Sequence, residues 1–546
     1  MGVFGHIMKF IMITLVVVLV IFIVAFAAMF FFPSFKLFGY HYIDSGDNGG
    51  IYEYLRGDEA KAQEEWDKAD IIRIETAGYD LDFEYANSKM LMNSGDIRVE
   101  IYGIYRGFVK GSVEKPTYTS SNSTYDVTSE NKDNSFYIDE TRPDKKIYFI
   151  RMQEPEKGFL MHSRNEIHFI ITQDAFKDKD VEIFTQGGNI SFGADKMMSV
   201  NNLKIVSDSG SVYLNNMKIN TYIEDGVEKV GNLEIIKSQK GAVKVDTNLK
   251  ANVAITVNGG TDAIQLKNIE STEGDVSKLT INSYKGAVYI GDVDGDFSCN
   301  CGGAKLEAGN ITGAAKVTVK ETSCHFKTIG QTPNVDTLEL EVTGKTNLDF
   351  EKVMSNIDVK ANVNSTINVW ESFGDVVYRQ EKGNGTFNLK NAHASNINIV
   401  QATGRVNLDC NKDEIVNITS TATSGTIAFS GVEQGRVEIN TANEQSGCSI
   451  IGVFEVINDK HTIKTTSGTI NITAPQNDSY SIFWLAKSAS IDIFGNLKTN
   501  AFSSEEYCKQ NDSSYRHTTA YGEPCAEKLN GLDLYASAGK VVISKI

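Results

Sequence analysis

Proline is nearly missing from this chain: 7 residues in 546, against 46 glycines. With 41% apolar residues as well, the composition is not that of a disordered segment and suffices to bury a large core. Cysteine is scarce too. The seven, Cys299, Cys301, Cys324, Cys410, Cys448, Cys508 and Cys525, are too few for a disulfide-built scaffold in a chain this long. Their odd number leaves at least one without an intramolecular partner. No two form C-x-x-C, so zinc-knuckle and thioredoxin chemistry lack their ligand spacing. Cys508 and Cys525 flank a polar insertion and are the expected disulfide in an oxidising compartment. The other five are expected as unpaired thiols.

Positive charge is the next deficit. The net charge is −17, and residues 1–40 hold Lys9 and Lys36 with no acid, so the remainder carries −19. Such a body lacks the clustered Lys and Arg that a phosphate backbone requires, so no nucleic-acid partner is expected. Catalytic signatures are missing as well. There is no P-loop, no dinucleotide-binding glycine motif and no G-x-S-x-G elbow. Cys324 and His325 are adjacent, and on a strand adjacent side chains point to opposite faces. His162 and His168 lie near each other, but no carboxylate or cysteine spacing completes a ligand set. The stretch Asp292-Val293-Asp294-Gly295-Asp296 starts like a calcium loop. Its sixth position is Phe297 rather than Gly, and its twelfth is Gly303 rather than Glu. It reads as a polar turn, with Asp292, Asp294 and Asp296 the one candidate cation site. No cofactor and no catalysis are expected.

The chain does have one long apolar run. Phe10 to Phe32 contains no charge and one polar residue, Thr14, before Pro33 stops it. At about 1.5 Å per helical residue, such a run spans a hydrocarbon core of roughly 30 Å. A cleaved signal peptide is the competing reading, through Ala25-Phe26-Ala27, but the run continues to Phe32. The expected layout is a short cytoplasmic segment at 1–9, a transmembrane helix at 10–32 and a juxtamembrane stalk at 33–70. The stalk carries a short helix at 57–70 that docks Trp66 on the first strands. The acidic residues after the helix favour an N-terminus inside and a body outside, in a single-pass plasma-membrane protein.

A repeat also stands out. Glycine followed by apolar residues at +2 and +4 occurs at Gly188, Gly210, Gly241, Gly286, Gly374, Gly385, Gly404, Gly425, Gly468 and Gly539, and also at Gly95. Gly188 to Gly210 is 22 residues, Gly404 to Gly425 is 21, and Gly286 to Gly374 is 88, or four repeats of 22. Gly374 and Gly385 are too close to share one corner. The +2/+4 pattern is a strand with one face buried, and the glycine supplies a corner. A second alternating strand often precedes it, as at Ile397-Asn398-Ile399. A unit of two short strands cannot bury its apolar face alone; stacked copies can. The fold class is therefore all-β: a parallel β-solenoid with coils of about 21–22 residues, preceded by one N-terminal transmembrane helix and an irregular β-rich domain. The β-rich capping domain is expected at 71–180, with an insertion at 111–145. The solenoid is expected at 181–546, with an insertion at 500–530 that folds as a cap over the final strand, Val541 to Ile543.

The phrases Asn93-Ser94-Gly95-Asp96-Ile97, Thr423-Ser424-Gly425-Thr426-Ile427 and Thr466-Ser467-Gly468-Thr469-Ile470 resemble the T-S-G-D-I-x-[VI] repeats of a bacterial adhesin-type β-solenoid family. Ile71 to Thr76 is similar to that family's first strand, and Asn165 to Ile171, then Val181 to Phe184, to its run-in. The resemblance covers about residues 71–546. It implies a surface-exposed, membrane-anchored role in binding or structure, with an extracellular protein or glycan as partner and no catalytic residues. Two alternatives stand beside it. One is a cytoplasmic, membrane-tethered β-helical polymer that self-associates through open ends. The other is a carbohydrate-active β-helix enzyme.

Overall fold

The structure is a computed structural model. It describes residues 2–32, 35–44, 50–54, 66–76, 78–85, 97–110, 118–123, 145–152, 159–171, 174–193, 197–303, 305–380, 382–401, 403–421, 424–441, 447–475, 481–498, 516–517 and 530–546.

The N-terminal run is a helix, Gly2–Phe31, starting eight residues before Phe10, with Ile7 and Met8 extending its apolar surface. From Gly5 to Phe31 it is long and apolar enough to cross a membrane, and its side chains are exposed up to Val24, while near its end Met29 is buried. Thr14 hides its hydroxyl by donating to the Phe10 carbonyl at 2.8 Å, one turn back. Near the helix end the Phe30 ring meets Tyr42, centroids 4.4 Å apart, in the strand Tyr40–Asp44. Residues 40–54, expected as stalk, therefore contain strands. Tyr40–Asp44 and Gly50–Tyr54 both run antiparallel along Ile97–Lys110. Their aromatic and β-branched residues suit a pleated surface better than a solvated tether.

The body divides into two compact units: Met1–Asn220 with Asn232–Thr247, and Thr221–Gly231 with Asn248–Ile546. Both are parallel β-solenoids. In the second unit, inward residues of one side stack coil on coil as Leu306, Cys324, Leu348, Ile367, Phe387, Val406, Ile427, Ile450 and Ile470. All are buried. The other side stacks Leu338, Ile357, Val376, Ile397, Ile418 and Val437. A third, minimal side is held by single bridges, Leu249 to Ile269 to Val293 to Ile311. The coil is thus three-sided, with each side presenting every second residue to the core.

The glycines mark corners where backbones nearly touch. A Cβ at Gly404 would collide with the carbonyl oxygen of Gly385, and one at Gly210, whose φ is +89°, with that of Gly188. Coil length is less regular than expected. Ile190 to Val212 advances 22 residues, Val288 to Leu306 only 18, and Cys324 to Leu348 24. The 88-residue interval from Gly286 to Gly374 is not four coils. Val288 lies on one side of the coil and Val376 on the other, because both sides share the same two-residue period. Gly385 supplies the corner equivalent to Gly404, so Gly374 and Gly385 do occupy different corners.

Both ends depart from sequence order. In the first unit, Ile71–Thr76 lies between Ile147–Met152 and Asp180–Thr185, parallel to both. Asp80–Tyr85 likewise lies between Phe159–Ile171 and Ile190–Phe192. Residues 71–85 are therefore a solenoid coil rather than a separate capping domain. The outer strands are covered by antiparallel neighbours, Tyr118–Ser123 and Ile97–Lys110. The N-S-G-D-I phrase at 93–97 thus leads into an antiparallel end strand, not a coil. In the second unit the same device recurs. Gly531–Lys545 inserts between Lys460–Ala474 and Ser481–Ile493. The strand holding Val541 and Ile543 is consequently not terminal, as the sequence pattern suggested. Ser481–Ile493 is outermost, and Asn496–Lys498 and Arg516–His517 pair antiparallel with it. Of the 500–530 insertion, Arg516, His517 and Asn530 fall within the described residues. Of the helix expected at 57–70, residues 57–65 lie outside the described residues; Trp66 is buried, its Nε1 donates to the Ala175 carbonyl at 2.8 Å, and its ring packs on Tyr148 and Phe176.

Candidate functional site

Two outward surfaces concentrate chemistry. The first arises because Asp80–Tyr85 pairs with Phe159–Ile171, which sets Asp82 beside His168 and Asp80 beside Glu166. Alternation sends Phe83 and Phe169 inward, where they stack with Phe192 at centroid distances of 4.6 and 4.1 Å. That aromatic column holds the backbone, and so fixes the outward side chains. His168 Nδ1 lies 3.1 Å from Glu84 Oε1 and 3.8 Å from Asp82 Oδ2; Nε2 lies 3.4 Å from Glu166 Oε2. His168 is only 20% exposed. Asp82's carboxyl is pushed up from the ordinary value, first by partial burial and then by the neighbouring Glu84 carboxyl. Among the described residues this is one set of three ligand-type side chains whose donor atoms lie within 4.8 Å of one another. Sequence spacing could not find it, because His168 and Glu84 are 84 residues apart.

The second surface is a ladder on the outward face of the second unit. Glu307, His325, Asp349, Asn368, Asn388 and Asn407 occupy one register column. The amides are linked along it: Asn368 donates to Asp349 at 2.7 Å, Asn388 to Asn368 at 2.7 Å, and Asn407 to Asn388 at 2.6 Å. Two residues beyond Asn368, Trp370 stands 49% exposed. Lys390 places its ammonium 3.9 Å from the Trp370 ring centroid. Behind this corner Phe373 stacks on His393 at 4.4 Å, with Lys352 over the Phe373 ring. A large aromatic held in the open beside a row of amides offers both an apolar platform and hydrogen-bonding groups.

The residues singled out in the sequence fall elsewhere. Asp292, Asp294 and Asp296 do not converge on one point. Each is spent on a neighbouring coil: Asp292 Oδ1 accepts from the Asn310 backbone and side chain at 2.8 and 3.0 Å. Asp294 Oδ1 accepts from Thr312 at 3.0 Å, and Asp296 Oδ1 from the Ala314 N–H at 3.1 Å. Their role is to stitch a corner whose backbone groups would otherwise lack partners. Cys508 and Cys525 lie outside the described residues. Cys299 and Cys301, expected as free thiols, are disulfide-bonded. They are two apart on one strand and face the core together. Cys324, Cys410 and Cys448 are free and buried. Burial raises all three thiols, Cys410 to about 12 and Cys448 to about 11, which leaves none as thiolate near neutrality. Cys324 faces inward and His325 outward, as alternation requires.

No protein-family model matches this chain, and neither a curated protein nor a solved structure does.

Proposed function

We propose that this protein is a membrane-anchored, cell-surface β-solenoid that binds glycan-type ligands without catalysis, in the manner of adhesin-type repeat proteins. Trp370, exposed beside the Asn368–Asn388–Asn407 ladder, carries the reading. A sugar ring has an apolar face that stacks on an indole and hydroxyls that exchange hydrogen bonds with amides. Each ladder amide still has hydrogen-bonding capacity beyond its ladder bonds, which number two at Asn368 and Asn388 and one at Asn407. The apolar window Gly5–Phe31, whose one charged residue is Lys9, supports an anchor, and the contact of Phe30 with Tyr42 supports its retention. Lys9 and the amino terminus flank the helix on its short side and Lys36 on the other, a small basic excess that supports a cytoplasmic N-terminus and a body outside. Polymerisation through open ends is less favoured. The outermost parallel strands at either end carry antiparallel neighbours, which blunt edge-to-edge pairing.

The test is a glycan-array screen with the full-length chain in detergent, repeated with Trp370→Ala and Asn388→Ala. The reading expects a wild-type hit that weakens at least tenfold in Trp370→Ala. Wild-type protein that binds no glycan, or a hit indifferent to Trp370, would overturn it.

A further inference from the structure

The cluster at Asp82, Glu84 and His168 lies outside the proposed ligand face. We propose that His168 Nδ1, Glu84 and Asp82 form a binding site for a divalent transition cation of the zinc type, which clamps two solenoid coils together. The spacing carries the argument. Tetrahedral zinc with ligands at about 2.0–2.1 Å places neighbouring ligand atoms about 3.3 Å apart. The Nδ1 to carboxylate distances of 3.1 and 3.8 Å bracket that value. The one nitrogen and two carboxylates suit zinc, whereas calcium calls for six to eight oxygens.

The surrounding groups fit the same assignment. Glu166 sits at Nε2, 3.4 Å away, on the side of the ring opposite the two carboxylates. A carboxylate that accepts the Nε2 proton leaves the Nδ1 lone pair free for the metal and orients the ring. Asp82 and Glu84 bring two carboxylates to within 4.8 Å of one another beside Nδ1, and a cation between them offsets their repulsion. The ligands come from Asp80–Tyr85 and Phe159–Ile171, neighbours in space but out of sequence order. Metal binding therefore ties down the inserted coil at this end of the first unit, a structural rather than a catalytic role.

Isothermal titration of the full chain, stripped with EDTA and held in detergent, with ZnCl2 as titrant tests the proposal. The expected result is a site lost in His168→Gln and weakened roughly 10–100-fold in Glu166→Gln, the usual range for a supporting carboxylate. Excess CaCl2 leaves it intact. Co2+ in place of zinc gives visible d–d bands without thiolate charge transfer, and these disappear in His168→Gln. If His168→Gln does not fold, as judged by circular dichroism, Glu84→Gln at its half-exposed position decides. Zinc affinity unchanged in the folded variants, no zinc binding by the wild type, or displacement by calcium would each overturn the assignment.

Discussion

Arg73 and Glu182 stand 109 residues apart and face each other across neighbouring parallel strands, joined by hydrogen bonds of 2.8 Å from Nε and 2.5 Å from Nη2. Their side chains are 4% and 5% exposed. The pair holds residues 71–76, which come early in the chain, against the strand that opens the regular coils. Removing one member of such a buried pair strands the other charge, which costs about 3–5 kcal/mol. Arg73→Ala is therefore expected to lower the denaturation midpoint sharply. Arg73→Met with Glu182→Leu is expected to recover most of the loss, because neither charge is then left buried. Equal destabilisation by the single and the double variant would show that the site needs the ion pair itself.

The second unit is closed by the same kind of insertion. Gly531–Lys545 is hydrogen-bonded along one edge to Lys460–Ala474 and along the other to Ser481–Ile493. Deleting residues 531–546 opens two edges at once, and open edges recruit other chains. The truncated chain is expected to aggregate and to lose amide protection in both flanking strands. A monomeric truncation with protection intact in Lys460–Ala474 would contradict the inserted topology.

His461 makes stability depend on pH. Its Nδ1 accepts from the Val437 N–H at 3.1 Å, its ring packs on Phe454, and burial lowers its pKa from 6.5 to about 4. The unfolded chain takes up a proton below about 6.5, whereas the folded chain resists until about 4. The contribution is thus complete above pH 6.5 and is lost as pH falls toward 4. It amounts to on the order of 3 kcal/mol. Urea titrations across that range are expected to show a shallower loss in His461→Gln than in the wild type.

Corner glycines separate tight from open positions. Gly404→Ala drives a methyl into the Gly385 carbonyl, whereas at Gly303 the nearest atom, Lys285 Cα, is 3.5 Å away. Overpacking costs typically about 1–3 kcal/mol. Thermal melts are expected to show that loss for Gly404→Ala and little change for Gly303→Ala.

The glycine phase and the alternation of Val406 and Leu408 were legible in the sequence, because both follow from local geometry repeated coil after coil. The assignment of Gly374 to a coil side was not, since both sides obey one period. Strand order at the ends was hidden for a different reason. Nothing local in Ile71–Thr76 says that it pairs with Ile147–Met152. The equally non-local pairing of Asp80–Tyr85 with Phe159–Ile171 is what brings His168 to Glu84, so the cluster was invisible until the order was known. The Asp292–Asp296 stretch reads in the sequence as a polar turn with a candidate cation site, and the stacked coils give each carboxylate a protein donor that local spacing could not show.

The central claim, a solenoid displayed outside the membrane, is tested most directly by an epitope inserted between Asp225 and Gly226. These form the exposed tip of the hairpin that pairs Thr221–Glu224 with Val227–Val230. Antibody added to intact cells producing the full chain is expected to label them without permeabilisation. Labelling that appears only after the membrane is opened would contradict the account and place the body in the cytoplasm.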